Sequence, residues 1–483
     1  MAHHPSSLTA WLPDLLYTGR RFEPNTALVT DGAGRVVEVK PTAELTDQHI
    51  IRFTDRALLP GMVNAHSHAF QRVIRGRTEF RSAAHDSFWT WREMMYAAAT
   101  RLTPEDLYDA SRMAFLEMCE GGITAVGEFH YLHRTPEGAA YADANELAKV
   151  VVRAARDVGI RIALLHVAYA RSGFETPPNL RQARFIEADA EIFLSNVDEL
   201  RTTLASEGAN DESPGAWTGV APHSIRAVPL KYLREVHAYA TRYDLPLHMH
   251  VSEQPAENES CVREHGRTPV TLLAEEGLLD ERFTAVHAVH ITADEARSIA
   301  GAQSTVCACP TTERNLGDGI VPADVLFMAG ARVSLGTDSH TQIDLLEDAR
   351  ELEYHLRLQK LERAALANGG GTIDEMETDG TQLSALAVSL FDCATRHGAA
   401  SIGATGGDLS AERPADFFTV DLHDPSIAGA SIDDLLPAIV FSLARTAVRD
   451  VFVGGEQIVE DGRHRQRAEI VERFAALQKR LWV

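Results

Sequence analysis

A repeating pattern of short apolar segments and amphipathic helices limits the folds open to this chain more than any other feature of its sequence. Between about residues 60 and 361, an apolar strand-like segment is followed by a polar loop and then by a helix with apolar residues at i, i+3 and i+4. Such helices are predicted at residues 104–120, 145–158 and 187–205. The predicted strands span residues 57–64, 124–129, 161–167, 218–222, 246–250, 284–287, 304–309 and 332–336.

Strands that alternate with helices predict a parallel sheet, because each crossover helix returns the chain to the same end of the sheet. Eight such units close naturally into a TIM-like (β/α)8 barrel, an α/β fold. In that architecture catalytic residues lie at or just beyond the C-terminal strand ends. Chemically active side chains are therefore expected there.

The two ends of the chain follow a different pattern, in which β-branched runs are separated by turn signals such as Asp31-Gly32 and Gly454-Gly455. Short strands are predicted within residues 10–56 and again at 417–420, 451–453 and 457–459. Antiparallel strands from both chain ends predict one small β-sandwich domain. The expected units are 1–56 and 401–483 for the small domain with a terminal helix, and 57–400 for the barrel with additional helices after its eighth strand.

Composition and charge narrow the possible partners. The formal net charge of −23 disfavours nucleic acid and anionic membranes, but it allows a small anionic substrate in a locally basic pocket. No apolar run reaches the roughly 18 to 20 residues that span a bilayer. Residues 1–11 lack the layout of a secretory signal, so a cytoplasmic location is expected.

Two further segments carry predictions of their own. Five cysteines do not make a disulfide framework, and Cys307 and Cys309, spaced C-x-C in a strand-like run, are expected to pack in the core. Residues 368–380 are rich in Gly and acidic residues, which predicts a mobile surface loop.

A candidate metal site follows from the residues at three strand ends. His66 and His68 leave the first strand and point the same way in an extended chain. His250 ends the fifth strand and Asp338 ends the eighth. Imidazole and carboxylate ligands suit a cation such as zinc, and iron or manganese would fit the same set. The alternative is four unrelated polar residues, each satisfied locally.

Three residues beside these ligands have the chemistry for hydrolysis. A bound divalent metal lowers the pKa of water toward neutrality. Asp338 can also accept the proton of the water, and His287, at the end of the sixth strand, can orient the water and stabilise the addition step. Glu253 is close enough to His250 to carry a proton to a leaving nitrogen, although a solvated loop carboxylate is the alternative for it.

These residues resemble the motifs of the amidohydrolase superfamily over nearly the whole chain. The resemblance rests on the pattern P-G-x-x-x-x-H-x-H at residues 60–68, the histidines that end strands five and six, and the aspartate that ends strand eight. Binuclear members carry a lysine at the end of strand four, and residues 217–224 contain none. The resemblance therefore implies a hydrolase of the mononuclear branch, in which deaminases dominate, and a homodimer.

Arginines in two segments bear on the substrate, because arginine binds a carboxylate in a bidentate geometry. Arg92 and Arg226 lie in apolar or strand-end contexts and are the favoured anion contacts. A solvated arginine face is preferred for Arg72, Arg75, Arg77 and Arg81. Residues 72–91 are also the candidate segment for closing over a substrate.

These segments, with residues 128–131 and 315–319, closely resemble the formimidoylglutamate deiminase family of histidine degradation. The resemblance implies hydrolysis of N-formimino-L-glutamate to N-formyl-L-glutamate and ammonia. It also implies that the arginines hold the two carboxylates of the substrate. The residues expected to line the substrate pocket are Gln71, Arg92, Tyr131, His223 and Arg226.

Three other readings remain open from the residues themselves. The nearest alternative function is that of a mononuclear deaminase acting on a nucleobase or nucleoside-like ring. A substrate pocket with an aromatic wall and without paired arginines would favour this alternative. A ring-amide hydrolase of the dihydroorotase type is disfavoured by the absent strand-four lysine. A non-catalytic scaffold would be expected to have lost at least one of the metal or proton-transfer residues, and all are present.

Overall fold

The computed structural model describes residues 8–80, 88–174, 176, 179–208, 215–367 and 382–482. Arg81 and residues 368–380 lie outside this set, as does part of the 72–91 segment. The strands in chain order are β1 Thr9–Tyr17, β2 Phe22–Pro24, β3 Thr26–Thr30, β4 Val36–Pro41, β5 His49–Pro60, β6 Met62–Ser67, β7 Ile123–His130, β8 Arg161–Ala168, β9 Ala216–Pro222, β10 Leu247–Val251, β11 Phe283–His287, β12 Thr305–Ala308, β13 Arg332–Leu335, β14 Phe417–Asp421, β15 Val448–Val453, β16 Glu456–Glu460 and β17 Arg463–His464.

The helices complete the chain order. They are α1 Phe88–Ala99, α2 Pro104–Glu120, α3 Glu146–Val158, α4 Ala190–Gly208, α5 Leu230–Tyr243, α6 Pro255–His265, α7 Pro269–Glu275, α8 Ala293–Gly301, α9 Pro310–Leu316, α10 Ala323–Met328, α11 Leu345–Lys360, α12 Gln382–Ala394, α13 Arg396–Ser401, α14 Leu435–Ser442 and α15 Arg467–Trp482. None within the described residues is long and apolar enough to cross a membrane.

The predicted parallel barrel is confirmed. Strands β6 to β13 form one sheet in sequential order, and its neighbouring strands pair in parallel. The first and last strands meet through a parallel bridge between Ser67 and Asp338, which brings the barrel to closure. The His68 amide donates to the Asp338 carbonyl at 3.1 Å, so the closing contact lies beside the candidate metal ligands.

The predicted first strand, residues 57–64, is two strands in the structure. Residues 57–60 end β5 of the small sheet, and the barrel strand β6 begins at Met62. Gly61 lies between them, and a Cβ at this position would overlap the Thr124 side chain. A glycine is needed here because the chain passes from one sheet to the other in close contact with β7.

The predicted small β domain from both chain ends is confirmed. Its strands form one mixed sheet in the order β17-β16-β15-β14-β5-β1-β3-β4, with β2 paired to β1. The two ends of the chain join where β5 pairs antiparallel with β14. An aromatic cluster fills one side of this sheet, with the Trp11 ring 5.3 Å from Phe417 and 4.8 Å from Phe452.

Local sequence signals explain the helix bounds. Thr103 and Asp106 form a capping box at the start of α2, and Pro104 occupies the first turn, where its missing N–H costs nothing. The helix spans the residues predicted for it. Gly159 follows α3 with a φ of 90°, a left-handed conformation that glycine adopts without strain. These helices pack around the barrel and leave its C-terminal strand ends to the loops.

Candidate active site

The four predicted metal ligands converge at the C-terminal end of the barrel. Their ligand atoms all lie within 4.8 Å of one another. The Nε2 atoms of His66 and His68 are 3.2 Å apart, and both are close to Asp338 Oδ1, at 3.4 and 3.1 Å. His250 completes the group from β10, and all four side chains are buried.

The hydrogen bonds around these rings fit a bound cation. His68 Nδ1 lies 3.0 Å from the Phe129 carbonyl, and His250 Nδ1 lies 3.1 Å from the His223 carbonyl. A carbonyl oxygen only accepts, so each Nδ1 carries a proton and each Nε2 presents a lone pair to the centre. Burial lowers the pKa of His66 to about 3, which keeps that ring neutral. Neutral nitrogen lone pairs at such short range repel unless a cation lies between them.

The backbone at these strand ends is strained. His287, Asp338 and His340 have φ values of 74°, 44° and 59°, in the left-handed region that side chains with a Cβ rarely adopt. Ser252, two residues after His250, has a φ of 52°. Each such residue costs of the order of 1–3 kcal/mol, and strain of this kind is concentrated at functional sites.

The predicted proton-transfer residues lie beside the metal ligands. His287 Nε2 is 3.7 Å from Glu253 Oε1 and 3.9 Å from Asp338 Oδ2. Burial raises the pKa of Glu253 above its ordinary value. Burial would by itself lower the pKa of His287, but the carboxylates around it, first Glu253 and then Glu313, hold that pKa well above its usual range. A carboxyl with a raised pKa beside a basic imidazole suits general acid–base chemistry.

Glu313 is a site residue that the sequence analysis missed. Its Oε1 lies 3.1 Å from His287 Nδ1 and accepts a 2.9 Å hydrogen bond from the Cys309 amide. The carboxylate therefore fixes the orientation of the His287 ring with Nε2 toward the ligand group. The available signal was its place in the first turn of α9, directly after barrel strand β12.

The cysteines stay in the packed interior, as predicted. Cys307 and Cys309 are buried and free of disulfides. The Cys309 thiol comes near His287 and Asp338, but burial raises its pKa well above the ordinary value. The imidazole–carboxylate group offers four ligands, whereas the group that contains Cys309 offers three, so the former is the better site for a cation.

The predicted substrate residues line the same cavity as the ligands and the proton-transfer groups. Gln71 donates from Nε2 to the Tyr131 hydroxyl at 2.9 Å, and the Arg92 guanidinium lies 5.5 Å from the centre of the Tyr96 ring. Besides the predicted Tyr131, the wall contains four aromatic residues that were not predicted, Trp91, Tyr96, Tyr169 and Phe185. The cavity is lined by His68, Gln71, Trp91, Arg92, Met95, Tyr96, Tyr131, Tyr169, Phe185, His223, Arg226, His250, Glu253, His287, Leu316 and Asp338.

The expectation of a solvated arginine face after β6 is wrong for the arginines that the structure describes. Arg72 Nε and Arg75 Nη1 bond the two oxygens of Glu117, at 2.5 and 2.7 Å. The Arg77 guanidinium lies over the Trp482 ring, 4.9 Å from its centre. These arginines attach the segment to helices α2 and α15, because their partners come from distant parts of the chain.

The barrel and its buried His/Asp group define the class of protein, and the family comparison gives the same result. The chain belongs to the amidohydrolase family, whose model matches residues 57–458, and is therefore a hydrolase. A formimidoylglutamate deiminase of Pseudomonas aeruginosa is 37% identical over 456 residues, which cover 94% of each chain. A 5-methylthioadenosine/S-adenosylhomocysteine deaminase of Natronomonas pharaonis is 29% identical over 84% of this chain and 81% of its own. The crystal structure of an amidohydrolase from Brucella melitensis matches with a TM-score of 0.87 and 33% identity, over 99% of this chain and 100% of that one.

Proposed function

We propose that this protein is a metal-dependent deiminase that hydrolyses N-formimino-L-glutamate to N-formyl-L-glutamate and ammonia in histidine degradation. The observation that carries the proposal is one cavity lined by three of the four ligands, by Glu253 and His287, and by two arginines, Arg92 and Arg226. The 37% identity to the deiminase of Pseudomonas aeruginosa supports the choice of substrate.

The two arginines match the two carboxylates of this substrate. Each guanidinium can take one carboxylate in a bidentate pair, and such pairs strengthen where water is excluded. Gln71, Tyr131 and His223 line the same cavity and offer hydrogen bonds to the remaining polar atoms of the substrate. A linear dicarboxylate would therefore be held at its charged end while its amidine faces the ligand group.

One divalent ion would be held by His66, His68, His250 and Asp338. Zinc suits these imidazole and carboxylate donors best, and Fe²⁺ or Mn²⁺ would accept the same set. When bound, such an ion polarises the amidine and lowers the pKa of water.

The chain's own residues then move the protons. Asp338 accepts a proton from the attacking water. Glu253 delivers a proton to the leaving nitrogen, because the nitrogen leaves readily as neutral ammonia and poorly as an amide anion. His287 lies 3.7 Å from Glu253, where it can orient the water and stabilise the charge that develops during addition.

A nucleobase or nucleoside-like ring is the second candidate substrate. The rings of Trp91, Tyr96, Tyr169 and Phe185 line the cavity and would suit a flat heterocycle, and related deaminases act on such compounds by name. Two arginines in the same cavity disfavour a neutral ring, because such a ring offers no carboxylate to either guanidinium.

The organisation of the protein adds further proposals. We infer a homodimer in the cytoplasm, with the barrel assigned to residues 57–400 and the small β domain to 1–56 and 401–483. Light scattering after gel filtration would distinguish a dimer from a monomer at a chain mass of 52.9 kDa.

Ammonia release by the zinc-loaded protein tests the activity directly. N-formimino-L-glutamate would be compared with guanine, adenosine and simple formamide-type compounds. Rapid release from N-formimino-L-glutamate alone is the expected result. Release from a ring substrate alone would keep the metal chemistry and overturn the role assigned to Arg92 and Arg226.

A further inference from the structure

Gln182 is a buried residue in contact with the cavity wall, and the proposed reaction has no role for it. It ends a short 3-10 turn, Leu180–Gln182, in the loop after β8, and 1% of its surface is exposed. Its Nε2 donates to the Tyr96 hydroxyl at 2.6 Å and to the Tyr169 hydroxyl at 2.8 Å. One amide group therefore joins α1 to the residue that follows β8.

The segment that carries Gln182 is held in place by its own contacts. The Gln182 carbonyl accepts a 2.8 Å hydrogen bond from the Phe185 amide, and Phe185 lines the cavity. The buried Arg184 donates from Nε to the Arg134 carbonyl at 2.9 Å and from Nη1 to the Leu102 carbonyl at 2.7 Å. Hydrogen bonds from a charged donor are among the stronger ones in proteins. The position of the Gln182 amide is therefore set by the fold and does not depend on a substrate.

The direction of the two hydrogen bonds determines where the tyrosine hydrogens can point. The Gln182 amide is the donor in both, so its two N–H groups are used and each hydroxyl oxygen accepts. Tyr96 and Tyr169 can share at most one hydrogen between them, so at least one O–H is left to donate elsewhere. Within the described part of the chain, no other protein group accepts a hydrogen bond from either hydroxyl.

This remaining O–H lies beside a proposed anion contact. Arg92 and Tyr96 are one turn apart on α1, and the Arg92 guanidinium lies 5.5 Å from the centre of the Tyr96 ring. Both residues line the cavity, together with Tyr169. A carboxylate has more lone pairs than one guanidinium can satisfy, so it can accept a further hydrogen bond when it is bound by an arginine. A tyrosine hydroxyl supplies that hydrogen bond without adding a charge to the cavity.

We propose that Gln182 is a positioning residue for substrate binding. By donating to the hydroxyls of Tyr96 and Tyr169, it leaves a tyrosine O–H to donate to the substrate carboxylate that Arg92 binds. This inference rests on the proposed function and adds to it a neutral hydrogen-bond donor for the dicarboxylate.

Gln182→Met tests this role, because methionine fills a similar volume without N–H donors. Steady-state kinetics of the metal-loaded variant with N-formimino-L-glutamate should show KM raised by about tenfold, the loss expected for one hydrogen bond to a charged group. The value of kcat should change much less than KM. Gln359→Met makes the same chemical change at an exposed position of α11 and should leave both values unaltered.

A mutant cycle separates positioning from packing. If Gln182 acts through the two hydroxyls, Gln182→Met should have no further effect on KM in a protein that already carries Tyr96→Phe and Tyr169→Phe. A loss of packing alone would raise KM by the same factor in both backgrounds. Equal factors in the two backgrounds would therefore overturn the inference.

Gln182→Glu keeps the length of the side chain but replaces the N–H donors with carboxylate oxygens. The tyrosine hydroxyls would then donate to the new carboxylate, so KM should rise at least as much as in Gln182→Met. This variant also tests the inference if Gln182→Met does not fold. A wild-type KM in either variant would overturn the inference alone. Failure of the wild type to release ammonia from N-formimino-L-glutamate would overturn the proposed function, and the inference with it.

Discussion

The mouth of the barrel and the small sheet are built from opposite kinds of residue. At the mouth, buried histidines and carboxylates crowd together on backbone that is locally strained, as at His287 and Asp338. In the small sheet, Trp11, Phe417 and Phe452 pack as apolar rings on regular strands. Burying aromatic side chains stabilises a fold. Burying titratable groups and holding the backbone in a strained conformation both cost stability, and proteins retain these features where the chemistry requires them.

Because the two regions differ in this way, mutations in the barrel mouth and in the small sheet should affect different properties of the protein. Substitutions at the barrel mouth should remove metal, turnover or affinity with modest changes in stability. Substitutions in the aromatic cluster of the small sheet should lower the free energy of unfolding and leave the chemistry of the folded enzyme unchanged. A small-sheet variant with altered chemistry, or a barrel-mouth variant with a large loss of stability, would show that the two regions are coupled.

His250→Ala should have the largest effect. Loss of one imidazole ligand removes the metal, and with it several kcal/mol of transition-state stabilisation, so activity should fall by more than about a thousandfold. Metal content measured by atomic absorption should fall together with the rate. His423→Ala, at an exposed histidine, is the control and should retain both. A metal-replete, active His250→Ala protein would contradict the assignment of this ligand.

Glu253→Gln should keep the metal and lose most turnover. A missing general acid or base typically lowers the rate by about 10² to 10⁴-fold. Single-turnover ammonia release, with metal content measured on the same sample, separates this loss from loss of metal. Glu259→Gln provides the matched change at an exposed site. A near-normal rate in Glu253→Gln would remove Glu253 from the proton-transfer path.

Phe417→Ala should destabilise the small sheet without changing the rate of the reaction. Phe417 is fully buried and stacks on Phe452 at 4.5 Å, so its truncation should lower the free energy of unfolding by about 3–5 kcal/mol. Chemical denaturation measures this loss, and kcat per folded molecule should not change. Leu358→Ala, at an exposed leucine of α11, should change stability by less than about 0.5 kcal/mol. A reduced kcat in Phe417→Ala would show coupling between the sheets.

Arg226→Met should have the smallest effect of the four. Loss of charge-assisted hydrogen bonds to a carboxylate costs about 1.5–3 kcal/mol, which corresponds to a rise in KM of about 10- to 100-fold. Steady-state kinetics with N-formimino-L-glutamate measure it, and kcat should change less than KM. Arg242→Met, at an exposed arginine of α5, should leave KM unaltered. An unchanged KM in Arg226→Met would place the anion contact elsewhere.

The sequence by itself determined the barrel, the small domain from both chain ends and the candidate ligands. Hydrophobic periodicity identifies strands and helices locally, and the connectivity of parallel strands places their C-terminal ends together. His66, His68, His250 and Asp338 could therefore be grouped without coordinates, because each lies at a strand end. The first strand was misjudged at Gly61, since an apolar run does not reveal which of two sheets its residues join.

Only the tertiary structure decided which partners the buried charges have. Arg72 and Arg226 are both arginines near barrel strand ends, yet Arg72 bonds Glu117 of a helix while Arg226 lines the cavity. Through the packing of loops and helices, Glu313 contacts His287, and Glu257 accepts a hydrogen bond from the Glu253 amide. The physical reason is that a charge responds to groups within a few ångströms in space, while periodicity in a single sequence reports only the face on which a residue lies.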